Sequence, residues 1–139
     1  MDFIHDRNSN IPFSLHDSRI KKITFRNNVL TLHLNKIFQY TKDGEKIYSG
    51  EVLFYDNDID DCSMLIFDRI VYKGNFSGKA ISLIEYMEEY SNAEFEILIE
   101  GYCGYYTTYT GWIRIEGKEP VSAILYIWNT GDMVYRIDS

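Results

Sequence analysis

Residues 18–40 read SRIKKITFRNNVLTLHLNKIFQY, and this stretch decides the fold class. Two runs of alternating apolar and polar residues flank Asn27-Asn28, and asparagine tolerates the positive φ that a type I′ turn requires. The pattern predicts an antiparallel hairpin of Ser18 to Arg26 with Val29 to Tyr40. In that register Phe25 opposes Leu30 and Ile23 opposes Leu32 on one face, while Thr24 opposes Thr31 on the other. Alternation fails at Lys21-Lys22, where Ile20 falls out of phase. A β-bulge there returns Ile20 to the apolar face.

The same period extends outward from the hairpin. Asp43-Gly44 turns the chain into a third strand, about Glu45 to Tyr55, Asp56 to Asp61 forms a polar loop, and a fourth strand is predicted over Met64 to Lys73. The period changes once. Ala80, Ile81, Ile84, Met87 and Tyr90 recur at spacings of three and four, which predicts one amphipathic helix over Gly78 to Tyr90 with Ser77 as its cap. Glu88 and Glu89 near its end oppose the helix dipole. Beyond it alternation resumes, with Phe95, Ile97 and Ile99 on one face and Glu94, Glu96 and Glu100 on the other. Strands over Tyr105 to Ile115, Val121 to Trp128 and Met133 to Ile137 follow, separated by turns at Gly117 to Pro120 and Asn129 to Asp132. The expectation is a mainly β (α+β) fold: an antiparallel sheet, as a sandwich or a partly open barrel, of about 7 to 9 strands with one helix. Residues 1–139 read as a single domain, with no linker and no internal repeat.

Composition agrees with an ordered chain, because 45% hydrophobic and 16% aromatic residues supply ample apolar surface against the entropy of folding. The uncharged stretch Pro120 to Asn129 is far shorter than a bilayer span, and the start lacks a basic segment followed by an apolar run, so a cytoplasmic location without a membrane partner is expected. Cys62 and Cys103 stand apart with no histidine nearby, which predicts two small buried hydrophobes rather than a zinc or redox site.

Charge divides the chain unevenly. Residues 1–50 carry eight Lys/Arg against five Asp/Glu, a net +3, and residues 51–139 carry six against sixteen, a net −10. Phosphate binding draws on Lys and Arg, so this balance argues against nucleic acid as a ligand. The small basic cluster Arg19, Lys21, Lys22 and Arg26 is expected to keep an edge strand from pairing with another chain.

The residue types of several reactions occur, but without the required geometry. His16-Asp17-Ser18 holds the types of a hydrolase triad, yet neighbours in an extended chain alternate sides, so Asp17 is expected to point away from His16 and Ser18. A turn leading into the strand, with Asp17 or Ser18 bonding the following backbone, is the plainer reading. His33, expected opposite Lys22, faces a cation that disfavours imidazolium and metal binding, and His5 is expected in solvent. Asp56, Asp58 and Asp60 match the first ligand positions of a calcium loop, but Asp61 stands where glycine belongs and Phe67 where the last glutamate belongs. A looser divalent site from Asp56, Asp58, Asp60 and Asp61 stands against a solvated loop. Glu94, Glu96, Glu100 and Glu116 give no reason for one carboxyl to hold a proton, as a glycosidase pair needs. Phosphate-loop, dinucleotide, nucleophile-elbow and zinc-protease motifs are absent. No enzyme activity, cofactor or metal is expected.

The remaining candidate is an aromatic, acidic face. Tyr102, Tyr106, Trp112, Tyr126 and Trp128 share strand parity with Glu94, Glu96 and Glu100, so together they are expected to line one side of the C-terminal sheet. Either this face is open or the helix packs over it, since Ile124 shares the same parity. Open, it suits a basic protein partner or sugar hydroxyls.

The stretch Ser14-Leu15-His16-Asp17-Ser18-Arg19-Ile20, with the hairpin ending Leu30-Thr31-Leu32, resembles the opening of small uncharacterised bacterial proteins, some of which are classed with immunity proteins of toxin systems. That resemblance implies a cytosolic, partner-binding protein that neutralises a toxin. It transfers no functional residues. The combined expectation is a non-enzymatic binding protein, an immunity-type inhibitor offering an acidic, aromatic surface to a basic protein, with a carbohydrate- or small-ligand-binding β domain as the alternative.

Overall fold

The structure, a computed structural model, describes residues 1–6, 11–71 and 74–138. Its strands are β1 (Asp2–Ile4), β2 (Phe13–Ser14), β3 (Arg19–Arg26), β4 (Val29–Thr41), β5 (Gly44–Phe54), β6 (Ser63–Phe67), β7 (Gly78–Ser82), β8 (Glu94–Cys103), β9 (Tyr106–Arg114), β10 (Val121–Trp128) and β11 (Met133–Ile137), with one helix, α1 (Leu83–Glu89). They form one antiparallel sheet ordered β1-β11-β5-β4-β3-β8-β9-β10-β6-β7, with β2 added beside β4. The sheet is open, since β1 and β7 end it.

The fold is mainly β as expected, but with eleven strands among the described residues rather than about seven to nine. The additions are β1, β2 and β7. The first two are too short to show a period, and β7 was masked by a helical one. Residues 78–82 fit helical spacing, yet they pair along β6 from Gly78↔Phe67 to Ser82↔Ser63, so sheet pairing overrides local period. The helix is therefore only seven residues long and is capped by Ser82, whose Oγ accepts from the Glu85 N–H at 3.1 Å, in place of Ser77. The expected strand Met64 to Lys73 shortens to β6, and residues 72–73 lie outside those described.

The opening hairpin forms as its sequence dictates. Asn27 and Asn28 adopt φ of 52° and 61°, and Phe25↔Leu30, Ile23↔Leu32 and Thr24↔Thr31 are in register. A register shift between Ile20 and Lys22 restores Ile20 to the core, where it is 2% exposed.

One face of the sheet curls around a common core. Leu30, Leu32, Val52, Phe54, Phe95, Ile97, Tyr109, Leu125 and Tyr135 all belong to it. Tyr135 on β11 lies 3.4 Å from Tyr102 on β8 through their hydroxyls, although β5, β4 and β3 separate these strands in the sheet. Phe13 stacks obliquely on Tyr135 with ring centroids 5.0 Å apart. Leu83 and Tyr86 of α1 are buried in this same core. Each such buried side chain contributes about 1.5–3 kcal/mol relative to exposure.

Candidate functional site: a loop end with aromatic and acidic walls

The eight residues expected to share one face divide into three groups, and a bulge in β8 is the cause. From Glu94↔Arg114 to Ile97↔Gly111 the register is regular, but it shifts between Ile97 and Ile99. Past that point the odd positions turn outward, so Ile99 is 64% exposed while Glu100 and Tyr102 face inward opposite Tyr109 and Thr107. The bulge coincides with the turn into β3. Asp17 N–H donates to Ile97 O, Ile97 N–H donates to Ser18 O, and the His16 ring Nδ1 lies 2.7 Å from Leu98 O. The run Ile97-Leu98-Ile99, three apolar residues in succession, was the signal in the sequence.

Glu100 and Tyr102 thus join a buried polar cluster instead of a docking face. Tyr102 donates to Glu100 Oε1 at 2.7 Å, and Glu100 Oε2 accepts from the Leu15 N–H at 3.1 Å. Burial pushes the phenols of Tyr102, Tyr109 and Tyr135 up, and the neighbouring Glu100 charge adds to the rise. Tyr109 is fully buried, and its hydroxyl meets no partner within hydrogen-bonding geometry among the described residues.

Glu94 and Glu96 do face outward, but basic residues from neighbouring strands hold them. Lys21 Nζ lies 2.7 Å and Arg19 Nη1 3.1 Å from Glu94, while Arg114 Nε donates to Glu96 at 2.8 Å and Arg19 Nε approaches it at 3.6 Å. Arg114 also lies over the Trp112 ring at 5.0 Å. Hydrogen bonds from Lys21, with Arg19 behind them, hold the Glu94 carboxyl below the usual carboxylate range. These residues clasp β3 to β8 and β9. They are not free charge.

Tyr106 and Tyr126 keep the expected open position, Trp128 beside them is half-buried, and Tyr105, which parity overlooked, joins them. Gly104-Tyr105 forms the two-residue turn between Cys103 and Tyr106, with Gly104 at φ 58°, and its place at the strand end leaves Cys103 exposed rather than buried as expected, whereas Cys62 is buried. Tyr105 and Tyr106 meet Trp128 with centroids 5.4 and 4.6 Å apart, and Tyr105, Tyr106 and Tyr126 are 48%, 51% and 37% exposed. The helix does not cover them, because Leu83 and Tyr86 pack on the opposite, core side.

Four loops gather at this end. Asn57 N–H donates to Asn28 O, Asn57 Nδ2 to Trp128 O at 2.8 Å, Asn129 N–H to Tyr105 O, and Thr130 N–H to Asp56 O. Beside the aromatic residues, Asp56, Asp58, Asp60 and Asp61 are exposed and make no ion pair among the described residues. Phe25, Asn28, Ile59 and residues 56–58 and 60 line an open depression of about 520 Å³. The single turn of 3-10 helix at Ile59–Asp61 is fixed by Asp58, whose carboxylate accepts from Asp60 N–H. Among the described residues no group of three or more His, Cys, Asp or Glu side chains is arranged to hold a metal ion.

The N-terminal trio also departs from its expected geometry. Asp17 adopts φ 66°, which brings its carboxylate within 3.4 Å of His16 Nε2. Ser18 Oγ is fully buried without a partner among the described residues, so no hydroxyl is presented to this pair. Backbone rather than side chain closes the turn, with Ser18 N–H donating to Leu15 O. His33 does lie opposite Lys22, but its ring bonds Thr24 Oγ1 at 3.0 Å and approaches Glu51 at 3.6 Å. His5 is half-buried, its ring edge-on to Tyr102. No helix among the described residues is long and apolar enough to cross a membrane.

Comparison with known protein families, curated proteins and solved structures finds no match to this chain.

Proposed function

We propose that the protein is a non-enzymatic binding protein, of the immunity-inhibitor kind, that docks a basic protein partner on the loop end. The observation that carries this reading is the pairing of the exposed carboxylates Asp56, Asp58, Asp60 and Asp61, which make no ion pair among the described residues, with the exposed Tyr105 and Tyr106 packed on a half-buried Trp128. Carboxylates steer a basic partner and accept its guanidinium or ammonium groups, while tyrosine and tryptophan supply contact area at low entropy cost. The acidic surface is thus assigned to Asp56 to Asp61, because Arg19, Lys21 and Arg114 already neutralise Glu94 and Glu96. Held as clasps by these cations, the two glutamates serve neither docking nor proton transfer in this reading.

The test is association kinetics with a co-purifying protein or the product of the adjacent gene, across a salt series. Replacing Asp58, Asp60 and Asp61 by lysine should slow association about tenfold and flatten its salt dependence, and Tyr106→Ala should act mainly on dissociation. Unchanged rates in both folded variants would move the interface elsewhere. Saturable oligosaccharide binding lost in Trp128→Ala, with no protein partner, would favour the carbohydrate alternative.

A further inference from the structure

Strand β3 has neighbours on both sides only at its start. β4 runs beside it from Ile20 to Arg26, whereas β8 pairs with Arg19 and Ile20 alone. Among the described residues, no backbone group of Lys21 to Arg26 bonds to anything other than β4. The hairpin register fixes which groups are left open. A two-residue turn closes on a hydrogen-bonded pair, here Arg26 and Val29, so Thr24 and Lys22 also exchange bonds with β4. The N–H and C=O of Ile23 and Phe25 then point to the vacant side.

A cleft of about 220 Å³ flanks the first part of that side, lined by residues 20–23 of β3, with Lys21 and Lys22 among them, and by Tyr86, Met87, Tyr90, Ser91 and Ala93 of α1 and the segment after it. On the other face of the strand, Lys22 and Arg26 are exposed and make no ion pair among the described residues, unlike Lys21, which Glu94 holds.

We propose that this edge accepts, by strand addition, an extended segment of a partner protein in which acidic side chains alternate with apolar ones. The main-chain groups of Ile23 and Phe25 supply the ladder, and alternate side chains supply the selectivity. Those on the inner side enter the cleft beside Ile23 and Tyr90. Those on the outer side meet Lys22 and Arg26, which selects carboxylates. The same charges reject a second copy of this chain. Centred on Thr24, an antiparallel pair of β3 strands sets Lys22 opposite Arg26 twice, and like charges directly opposite are destabilising. The basic residues that keep the edge from self-pairing therefore specify what it takes instead. This edge adjoins the loop-end depression, which Phe25 also lines, but it is read by main-chain groups and by Lys22 and Arg26, and neither proposal depends on the other.

The test uses the isotope-labelled full chain and short acetylated, amidated peptides that alternate valine with glutamate or valine with lysine. In the free protein, the amides of Ile23 and Phe25 should exchange much faster than those of Thr24 and Arg26. Adding the glutamate peptide should shift and protect the first two, with the lysine peptide about tenfold weaker. The exposed double variant Lys22→Glu, Arg26→Glu, checked for an unchanged melt, should reverse that order. Slow exchange at Ile23 and Phe25 in the free protein, equal binding of both peptides, shifts confined to other residues, or no binding would each overturn the proposal.

Discussion

Asn57 and Asn129 lock the loop end by facing each other as an isolated antiparallel bridge and binding each other's strands. Asn57 Nδ2 donates to Trp128 O at 2.8 Å, while Asn129 Nδ2 donates to Tyr55 O at 3.0 Å. They are 3% and 1% exposed, so both side-chain amides are shut away from water and depend on these protein acceptors. Asn129 Nδ2 also reaches Gly131 O and Asp132 O, which ties the turn before β11 to the end of β5.

Replacing Asn129 by alanine removes its amide donors, and because Tyr55 O and Asp132 O keep the Gly131 and Tyr55 N–H groups, the expected loss is about 1–3 kcal/mol in all. Asn57→Ala should lower stability by a similar amount. Denaturant unfolding checks both, and the lost fluorescence environment of Trp128 should report the loop end opening first.

Gly111 sits opposite the residue where the β8 bulge begins, and a Cβ there would collide with the Glu96 carbonyl oxygen. Gly111→Ala should therefore destabilise by about 2–3 kcal/mol, as overpacking between strands does. An unchanged denaturation midpoint would show that β8 and β9 can separate without loss.

The Glu94 carboxyl is held below its ordinary value, chiefly by the Lys21 hydrogen bond. A depressed carboxylate pKa stabilises the fold above the unfolded value and loses that contribution as the pH falls through the folded one. Glu94→Gln should thus melt below wild type near neutral pH, by an amount expected of an exposed charge network, about 0.5–1 kcal/mol. The two melting curves should draw together as the pH falls below the ordinary glutamate value of about 4.3, and meet once it has passed the lowered folded one. A gap that persists in acid would mean that packing, not charge, makes the contribution.

Tyrosine ionisation gives an alkaline counterpart. Burial raises the phenols of Tyr86, Tyr102, Tyr109 and Tyr135, four of the twelve tyrosines in the chain. A raised phenol pKa contributes stability that is present below the unfolded value and lost as the pH climbs through the folded one. Absorbance titration should show these four ionising only together with unfolding.

Reversing Glu94 and Glu96 to lysine should loosen the junction of β3 with β8, because it sets new cations beside Arg19, Lys21 and Arg114. The expected result is a lower melting temperature, whereas reversal of Asp58, Asp60 and Asp61 should leave the melt nearly unchanged. Equal melts for both sets would remove the distinction between the clasp and the loop end.

The sequence by itself determined whatever rests on nearest-neighbour period and turn chemistry. The Asn27-Asn28 turn, the register of β3 with β4 and the shift that returns Ile20 to the core follow from residues within one hairpin. The mainly antiparallel β class follows for the same reason. Tertiary structure decided where pairing with distant strands outweighs local pattern. Gly78 to Ser82 became a strand because β6 offers it a complete ladder, and the bulge after Ile97 turned Glu100 and Tyr102 inward because the turn at Asp17 and Ser18 takes up the Ile97 backbone. A shift of one residue flips every side chain beyond it, so a face assigned by parity holds only as far as the next bulge. Partnership was equally out of reach. Glu94 and Asp58 are the same kind of residue in sequence, and only the fold sets Lys21 and Arg19 against the first while leaving the second facing solvent.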